Sequence, residues 1–301
     1  MSDTATSCGE AATQAPQGIV WLASYPKSGN TWTRTFLHNL LSLIDGDLGE
    51  HDINDINEYT TWDLATKRYE PYLGKPATQA DRAEIAAVRP KVQADIAAQT
   101  DGLSLVKTHH ALVMDRGRPT LNFAVTSGAI YLVRNPLDVA VSFAHHMGAT
   151  VDEAIAQMGQ KGLETQVSER AVYEVYGSWS EHVASWTGKP HRAVQIARYE
   201  DLLAHPTAQF SQIARHLLMP ATAGQIEEAI KRSSFERLKA QEEAHGFREK
   251  PEAAKSFFRE GKAGGWRDRL TRRQVRTLVR DHGEQMARFG YLTDDIAHFA
   301  R

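Results

Sequence analysis

Among 301 residues there is one cysteine, Cys8, so no internal disulfide can form and nothing marks an oxidising compartment. No stretch approaches the roughly 18–20 consecutive apolar residues of a membrane span. Residues 1–17 have neither the basic start nor the apolar centre of a secretory signal, so we expect a disordered leader on a cytoplasmic protein without a membrane anchor. With no internal repeat and no low-complexity linker to divide the chain, residues 18–301 are expected to form one domain. Net charge is also nearly missing, −2 from 35 Lys plus Arg against 37 Asp plus Glu, which argues against a nucleic-acid coat. At 42% apolar and 24% charged residues the chain is not disordered, collagen-like or coiled coil.

The small total conceals an asymmetry. Residues 231–301 carry 17 basic against 11 acidic residues, while the first 230 carry 18 against 26. A basic C-terminal part is either a solvated helical surface or part of an anion site.

Apolar runs with β-branched residues at 19–23, 103–106, 129–133 and 193–196 each end in polar residues and read as strands. A helix is predicted over 31–44, where Trp32, Phe36, Leu40 and Leu43 recur at helical spacing. Further helices are predicted over 79–99, 136–147, 151–159, 169–187, 206–219, 223–231, 233–243 and 271–288. Strands alternating with helices imply an α/β fold, a mostly parallel central sheet flanked by helices. Residues 246–265 mix Gly, Lys, Arg, Glu and Phe without periodicity and read as a long ordered loop of the functional kind.

Tyr25-Pro26-Lys27-Ser28-Gly29-Asn30-Thr31-Trp32 joins the first strand to the first helix. That place gathers main-chain N–H groups and the positive end of a helix dipole, the requirements for holding a phosphate or sulfate. Lys27 adds a cation, and Ser28 and Thr31 add hydroxyl donors. A Walker A loop cannot be laid on the segment, because Gly29 follows the lysine, which weakens a P-loop-like kinase or NTPase reading. Further on, a strand ends at Arg134, a helix begins after Pro136, and Ser142 follows two turns in. An Arg fork beside a hydroxyl suits a terminal phosphate.

Seven of the eight positions from Tyr25 to Trp32 match the phosphosulfate-binding loop of the cytosolic-type sulfotransferases, Tyr-Pro-Lys-Ser-Gly-Thr-Thr-Trp, with Asn30 as the one departure. The sequence resembles that family from about residue 19 to 270. The resemblance implies a P-loop-like nucleotide-binding sulfotransferase fold. It also implies sulfuryl transfer from 3′-phosphoadenosine-5′-phosphosulfate (PAPS) to a hydroxyl, leaving PAP, with no metal required. It places Arg134 and Ser142 at the donor's 3′-phosphate, and gives Ser142 a second part, restraining Lys27. A later segment, Arg259-Glu260-Gly261-Lys262-Ala263-Gly264-Gly265-Trp266, is similar to the family's Arg-Lys-Gly-x-x-Gly-x-Trp loop around the same phosphate. There Glu260 replaces a lysine, a repulsive change for which Lys262 is the candidate compensation. Trp32, Tyr199, Ser233 and Phe235 fall where the family surrounds adenine.

By the same resemblance Lys107-Thr108-His109 ends a strand with the base at His109, Lys107 reaching the transferring group. His110 is the neighbouring alternative, and alternation along a strand lets only one of the two face the cleft. Neutral imidazole suits a base near neutral pH. Acceptors stay open among phenol, alcohol, sugar, lipid and glycopeptide, with Tyr59, Trp62, Tyr69 and Tyr72 either lining an aromatic pocket or packing a lid. The family's dimer segment would fall near Thr271, where Arg272 and Arg276 break its pattern, so oligomeric state stays open. A non-catalytic nucleotide-binding protein on the same scaffold is opposed by Lys27, His109, Arg134 and Ser142 together.

Overall fold

The computed structural model describes residues 17–300. The expected leader, residues 1–17, lies outside the described residues apart from Gln17. In chain order the strands are β1 (Gly18–Ser24), β2 (Thr60–Trp62), β3 (Leu103–Thr108), β4 (Met114–Asp115), β5 (Arg118–Pro119), β6 (Thr126–Val133) and β7 (Val194–Arg198). The helices are α1 (Asn30–Ile44), α2 (Thr66–Leu73), α3 (Arg82–Ala98), α4 (Pro136–Met147), α5 (Val151–Gly159), α6 (Trp179–Thr187) and α7 (Tyr199–Ala204). They continue with α8 (Pro206–His216), α9 (Ala223–Arg232), α10 (Phe235–His245), α11 (Arg272–Arg288) and α12 (Asp294–Ala297).

Five strands form a parallel sheet in the order β2-β3-β1-β6-β7, and β4 with β5 makes a small antiparallel pair. The apolar runs are continuous because both faces of the sheet are covered. Alternation then divides each run between two cores. Ile19, Trp21 and Ala23 of β1 pack with Ala129, Tyr131 and Val133 of β6 on one face, under α4, α6 and α11. Val20, Leu22, Ile130 and Leu132 pack on the other, against Phe36 and Leu40 of α1 and Phe210 of α8. Each fully buried Val, Leu, Ile or Phe among them contributes about 1.5–3 kcal/mol.

The predicted helix over 169–187 is shorter in the structure, which begins α6 at Trp179. Ser178 caps it by accepting from the Glu181 amide, and Gly177 just before it has φ 63°, so the helix cannot extend backwards. Residues 171–175 instead make isolated β-bridges, Ala171 to Ala65 and Val175 to Glu164, as suits their β-branched and aromatic content. Likewise α3 starts at Arg82, capped by Asp81, and α10 at Phe235. Strand β2, helices α2 and α7 and the β4–β5 pair carry no clear periodicity and were not expected.

The order of the sheet fixes where a ligand can sit. From β1 the chain goes to β3 and β2 on one side and to β6 and β7 on the other. A crevice therefore opens beyond the strands' C-terminal ends beside β1. Ser24, Thr108, Val133 and Arg198 are those ends, and the residues directly after them are the candidate site.

Candidate active site

The turn after β1 is shaped by two left-handed residues, Lys27 at φ 67° and Gly29 at φ 103°. Gly29 is the N-cap of α1 with no side-chain cap, so the first amides of the helix are not used by a side chain there. A Cβ at Gly29 would lie 2.8 Å from the Tyr199 ring, so glycine is demanded by both conformation and space. Ser28 is buried with its hydroxyl unpartnered among the described residues. Asn30 turns its side chain inward, donating to the Leu22 carbonyl at 2.8 Å, so only its main chain belongs to the turn's outer face. Thr31 follows half-buried. Trp32 packs edge-on against Tyr199 and Phe210, at 5.8 and 5.2 Å.

Arg134, just past β6, ties three segments together. Its Nη1 donates to the Lys27 carbonyl and its Nη2 to the Lys262 carbonyl, both at 3.0 Å, while the guanidinium lies 4.1 Å from the Tyr199 ring centre. Its Nε is buried without a partner among the described residues. Tyr199 opens α7 directly after β7, and its neighbour Glu200 accepts from the Asn135 amide at 2.9 Å. Ser233 is fully buried and donates to the Ala229 carbonyl at 2.8 Å, so its hydroxyl proton is already used. Phe235 lies against Gly261, where a Cβ would fall 2.3 Å from its ring and φ is 59°.

Residues 246–265 form an ordered loop, and its order comes from side chains elsewhere holding its main chain. Glu242 accepts from the Phe257 and Phe258 amides at 2.6 and 2.8 Å. His145 donates to the Ser256 carbonyl at 2.8 Å. Asp138 accepts from the Gly264 and Trp266 amides at 2.7 and 3.0 Å. Arg34, buried in α1, makes a two-pronged ion pair with Glu249, both contacts at 2.9 Å. Glu260, the suspect departure, is turned to Arg269 at 3.2 Å, with Arg259 at 3.7 Å, so two guanidinium groups balance it. Lys262 is exposed and contributes its carbonyl to Arg134. Asp138→Ala leaves two amides without their acceptor, at about 1–3 kcal/mol each. We expect amide exchange across 261–266 to accelerate by roughly 10- to 100-fold by mass spectrometry; unchanged protection would show that the loop is held by other means.

At the end of β3, Lys107 pairs in register with Leu22 and Thr108 with Ala23, which sets His109 beside Ser24. His109 Nδ1 lies 2.7 Å from the Ser24 carbonyl oxygen. A carbonyl only accepts, so Nδ1 carries the proton and Nε2 keeps its lone pair. The main chain of His109 is gripped on both sides: its N–H donates to Glu174, and its carbonyl accepts from His182 Nε2 at 3.1 Å. Burial, then the charge of Lys107, hold the His109 pKa well below the usual histidine value. Burial pushes Glu174 up to about 7. His110 faces the other way, fully buried, with Nδ1 accepting from the Val175 amide at 3.0 Å.

Lys27 reaches over the Phe257 ring, 4.1 Å from its centre, with Nζ 3.3 Å from His146 Nδ1. Burial, followed by the charges of Arg134 and Lys107, lowers its pKa to about 7. Thus Lys27 meets His146, and Ser142, one turn earlier on the same face of α4, makes no side-chain hydrogen bond among the described residues. Helical spacing from Ser142 was the available signal for His146. For Glu174, His182 and Asp138, held through distant main chain, no sequence signal existed. Of the four aromatics considered for a pocket, Trp62 stands here, under Lys107 Nζ at 5.7 Å. Tyr69 is core, while Tyr59 and Tyr72 bond outward to Asp45 and Asp95.

The sulfotransferase-domain family model matches residues 17–290. The chain belongs to the sulfotransferase family. Among curated relatives, sulfotransferase 1B1 of Canis lupus familiaris is 26% identical over 266 residues, covering 85% of this chain and 79% of the relative. Flavonol 3-sulfotransferase of Flaveria bidentis is 26% identical over 294 residues, covering 90% and 82%. In structure the chain resembles retinol dehydratase solved with retinol and PAP, at TM-score 0.59 and 20% identity over 90% of this chain and 82% of that one. Mouse sulfotransferase SULT7A1 with PAP gives 0.57 and 18% over 95% and 89%. This sulfotransferase is therefore an enzyme with the mostly parallel α/β sheet of its structural neighbours. No helix among its described residues is long and apolar enough to cross a membrane.

Proposed function

We propose that this sulfotransferase transfers the sulfuryl group of PAPS to a hydroxyl of a small-molecule acceptor in the cytoplasm, with His109 as the base and residues 18–301 acting as one domain. The observation that carries this reading is the His109 tautomer: Nδ1–H tied to the Ser24 carbonyl at 2.7 Å, leaving a neutral Nε2 beside Lys107. PAPS supplies an activated sulfuryl group on a phosphate that can depart with the negative charge.

The residues present fit such a donor. Ser28 Oγ and Arg134 Nε are buried polar atoms without partners among the described residues, and Gly29 and Gly261 let the rings of Tyr199 and Phe235, the proposed purine borders, pack directly on the turn and the loop. Lys27 with Ser28, Gly29, Asn30 and Thr31 amides at the start of α1 would stabilise the charge that grows on the departing phosphate. Arg134, Ser142, Arg259 and the main chain from Glu260 to Gly261 would hold the 3′-phosphate, Arg134 by its planar fork. Trp32, Tyr199, Phe235 and Ser233 would border the purine. Lys107 is the cation nearest the base and would face the moving sulfuryl group, while His109 Nε2 takes the acceptor's proton. Trp62, Phe257 and Tyr176 stand beside Lys107, Lys27 and His109, which suits an acceptor with a flat apolar body.

Calorimetry with PAP and 5′-AMP tests the donor half of the reading. We expect Arg134→Ala to weaken PAP roughly 10- to 100-fold and to leave 5′-AMP nearly unchanged, the worth of a charged hydrogen-bonded fork. Equal affinity of the wild type for PAP and 5′-AMP would sink the assignment of Arg134, and tighter binding of ATP with Mg²⁺ would favour a triphosphate enzyme.

Lys27 also sets a pH dependence. Its pKa of about 7 means that a polyanion arriving above neutral pH must be accompanied by proton uptake. PAP affinity should then fall as pH rises above 7, by at most about tenfold per unit. The sign for stability is opposite. Between 7 and the ordinary lysine value the unfolded chain binds more protons than the folded one, so this group makes the fold more stable as pH rises. PAP affinity independent of pH from 7 to 9 would show that Lys27 is charged without ligand.

A further inference from the structure

His38 stands on α1, one turn beyond Arg34, and is 1% exposed. Neither of its ring nitrogens has a hydrogen-bond partner among the described residues. A buried imidazole left wholly unpaired is uncommon and calls for a missing partner.

Two further groups converge on it. His51, from the irregular stretch between α1 and β2, sets its ring edge-on to His38, centroids 4.9 Å apart at 81°. Its Nε2 is likewise buried and makes no hydrogen bond, with Asp47 Oδ2 3.4 Å away. The exposed carboxylate of Glu58 closes the third side, and one donor atom from each of the three lies within 4.8 Å of the other two. Tyr59 covers a flank of His38 at 5.4 Å while its hydroxyl is taken by Asp45, so it shields the cluster without satisfying it.

We infer that His38, His51 and Glu58 bind one divalent transition-metal ion, with Zn²⁺ the best match. Two imidazoles and one carboxylate form a mixed nitrogen and oxygen set that suits Zn²⁺, whereas Ca²⁺ and Mg²⁺ prefer oxygen alone. A fourth position is open to water or to the Asp47 carboxylate. Bonds near 2.0–2.1 Å place tetrahedral ligand atoms about 3.4 Å apart, so the cluster has to contract. His38 is fixed by the helix, and His51 and Glu58 sit on irregular backbone outside any helix or strand. The contraction therefore falls on two side chains able to make it. The separations of 13 and 7 residues form no short metal motif, which is why the sequence did not suggest a metal. The site is separate from the transfer chemistry. Its ion would fasten residues 47–58 to α1, beside the Arg34–Asn57–Glu249 contacts that anchor the 246–265 loop.

The test is titration of the full chain, free of any affinity tag and stripped with a chelator, with Zn²⁺ alone and with Co²⁺ as a spectroscopic probe. One equivalent of Zn²⁺ should bind and raise Tm by about 5 °C at a hundredfold excess over Kd, and Co²⁺ should give the visible bands of a tetrahedral site. His51→Ala and Glu58→Gln lie toward the surface and should keep the metal-free Tm of the wild type while losing at least about tenfold in Zn²⁺ affinity. Absence of stoichiometric binding, or affinity unchanged by both substitutions, would overturn the site. Loss in His51→Ala with Glu58→Gln unaffected would remove Glu58 and overturn the three-ligand assignment.

Discussion

His109→Ala is expected to lower turnover by roughly 10²- to 10⁴-fold while PAP affinity stays within a few fold of wild type. The two ring nitrogens of His109 have different surroundings. Nδ1–H is committed to the Ser24 carbonyl at 2.7 Å, and the adjoining main chain is fixed by Glu174 and His182. Nδ1 is therefore engaged, and Nε2 is the ring nitrogen left with a free lone pair for the proposed proton transfer. Because burial and Lys107 keep the pKa well below the usual value, the His109 imidazole is already neutral at pH 7. Activity should accordingly show no loss from His109 protonation as pH falls from 7.5 to 6.5. His109→Asn separates base from scaffold, since its amide can still donate to Ser24 but cannot take a proton. It should be as inactive as the alanine variant. Turnover near wild type in either would assign the base elsewhere, and His110, buried with its Nδ1 used by Val175, is not placed to replace it.

Lys27→Ala is expected to reduce turnover by about 10²- to 10³-fold, the scale of removing one preorganised charge from a developing anion. Lys27 projects from a left-handed turn residue at the mouth of α1, so its charge adds to the helix amides at the same point. Lys27 rests against Phe257 and His146, a contact that keeps it within the cleft at the cost of part of its charge. A polyanion bound there as proposed would reverse that balance. His146→Phe should therefore raise PAP affinity modestly or leave it unchanged, whereas Lys27→Ala should weaken it and depress turnover further. Full activity of Lys27→Ala in single-turnover kinetics would exclude the lysine from charge stabilisation.

Sequence and structure agree where local pattern alone decides. Ile19 to Ala23 is apolar on both faces because β1 is central, and the polar residues after it are those that must leave the sheet. Arg134, directly after β6, was legible by the same logic, whereas His109 and Tyr199, directly after β3 and β7, came from the family resemblance. Residues 169–178 misled because Val172, Tyr173 and Val175 satisfy a helical spacing as well as an extended one. Only the Gly177 turn and the Ser178 cap separate the two. The order of 246–265 was not visible because its ties come from Arg34, Asp138, His145 and Glu242, far away in the chain or on a helix whose position the loop itself does not encode. Asn30 shows a further limit: its type was legible, but not that its side chain would turn back to Leu22.

The central claim is tested most directly by incubating the enzyme with ³⁵S-labelled PAPS and a panel of phenols, flavonols and steroid alcohols, and measuring label in the separated acceptors. Wild type should pass label to at least one hydroxyl compound with matching release of PAP, and His109→Ala, still binding PAP, should pass essentially none. Equal labelling by His109→Ala, or no transfer from PAPS by wild type to any hydroxyl in the panel, would contradict the account.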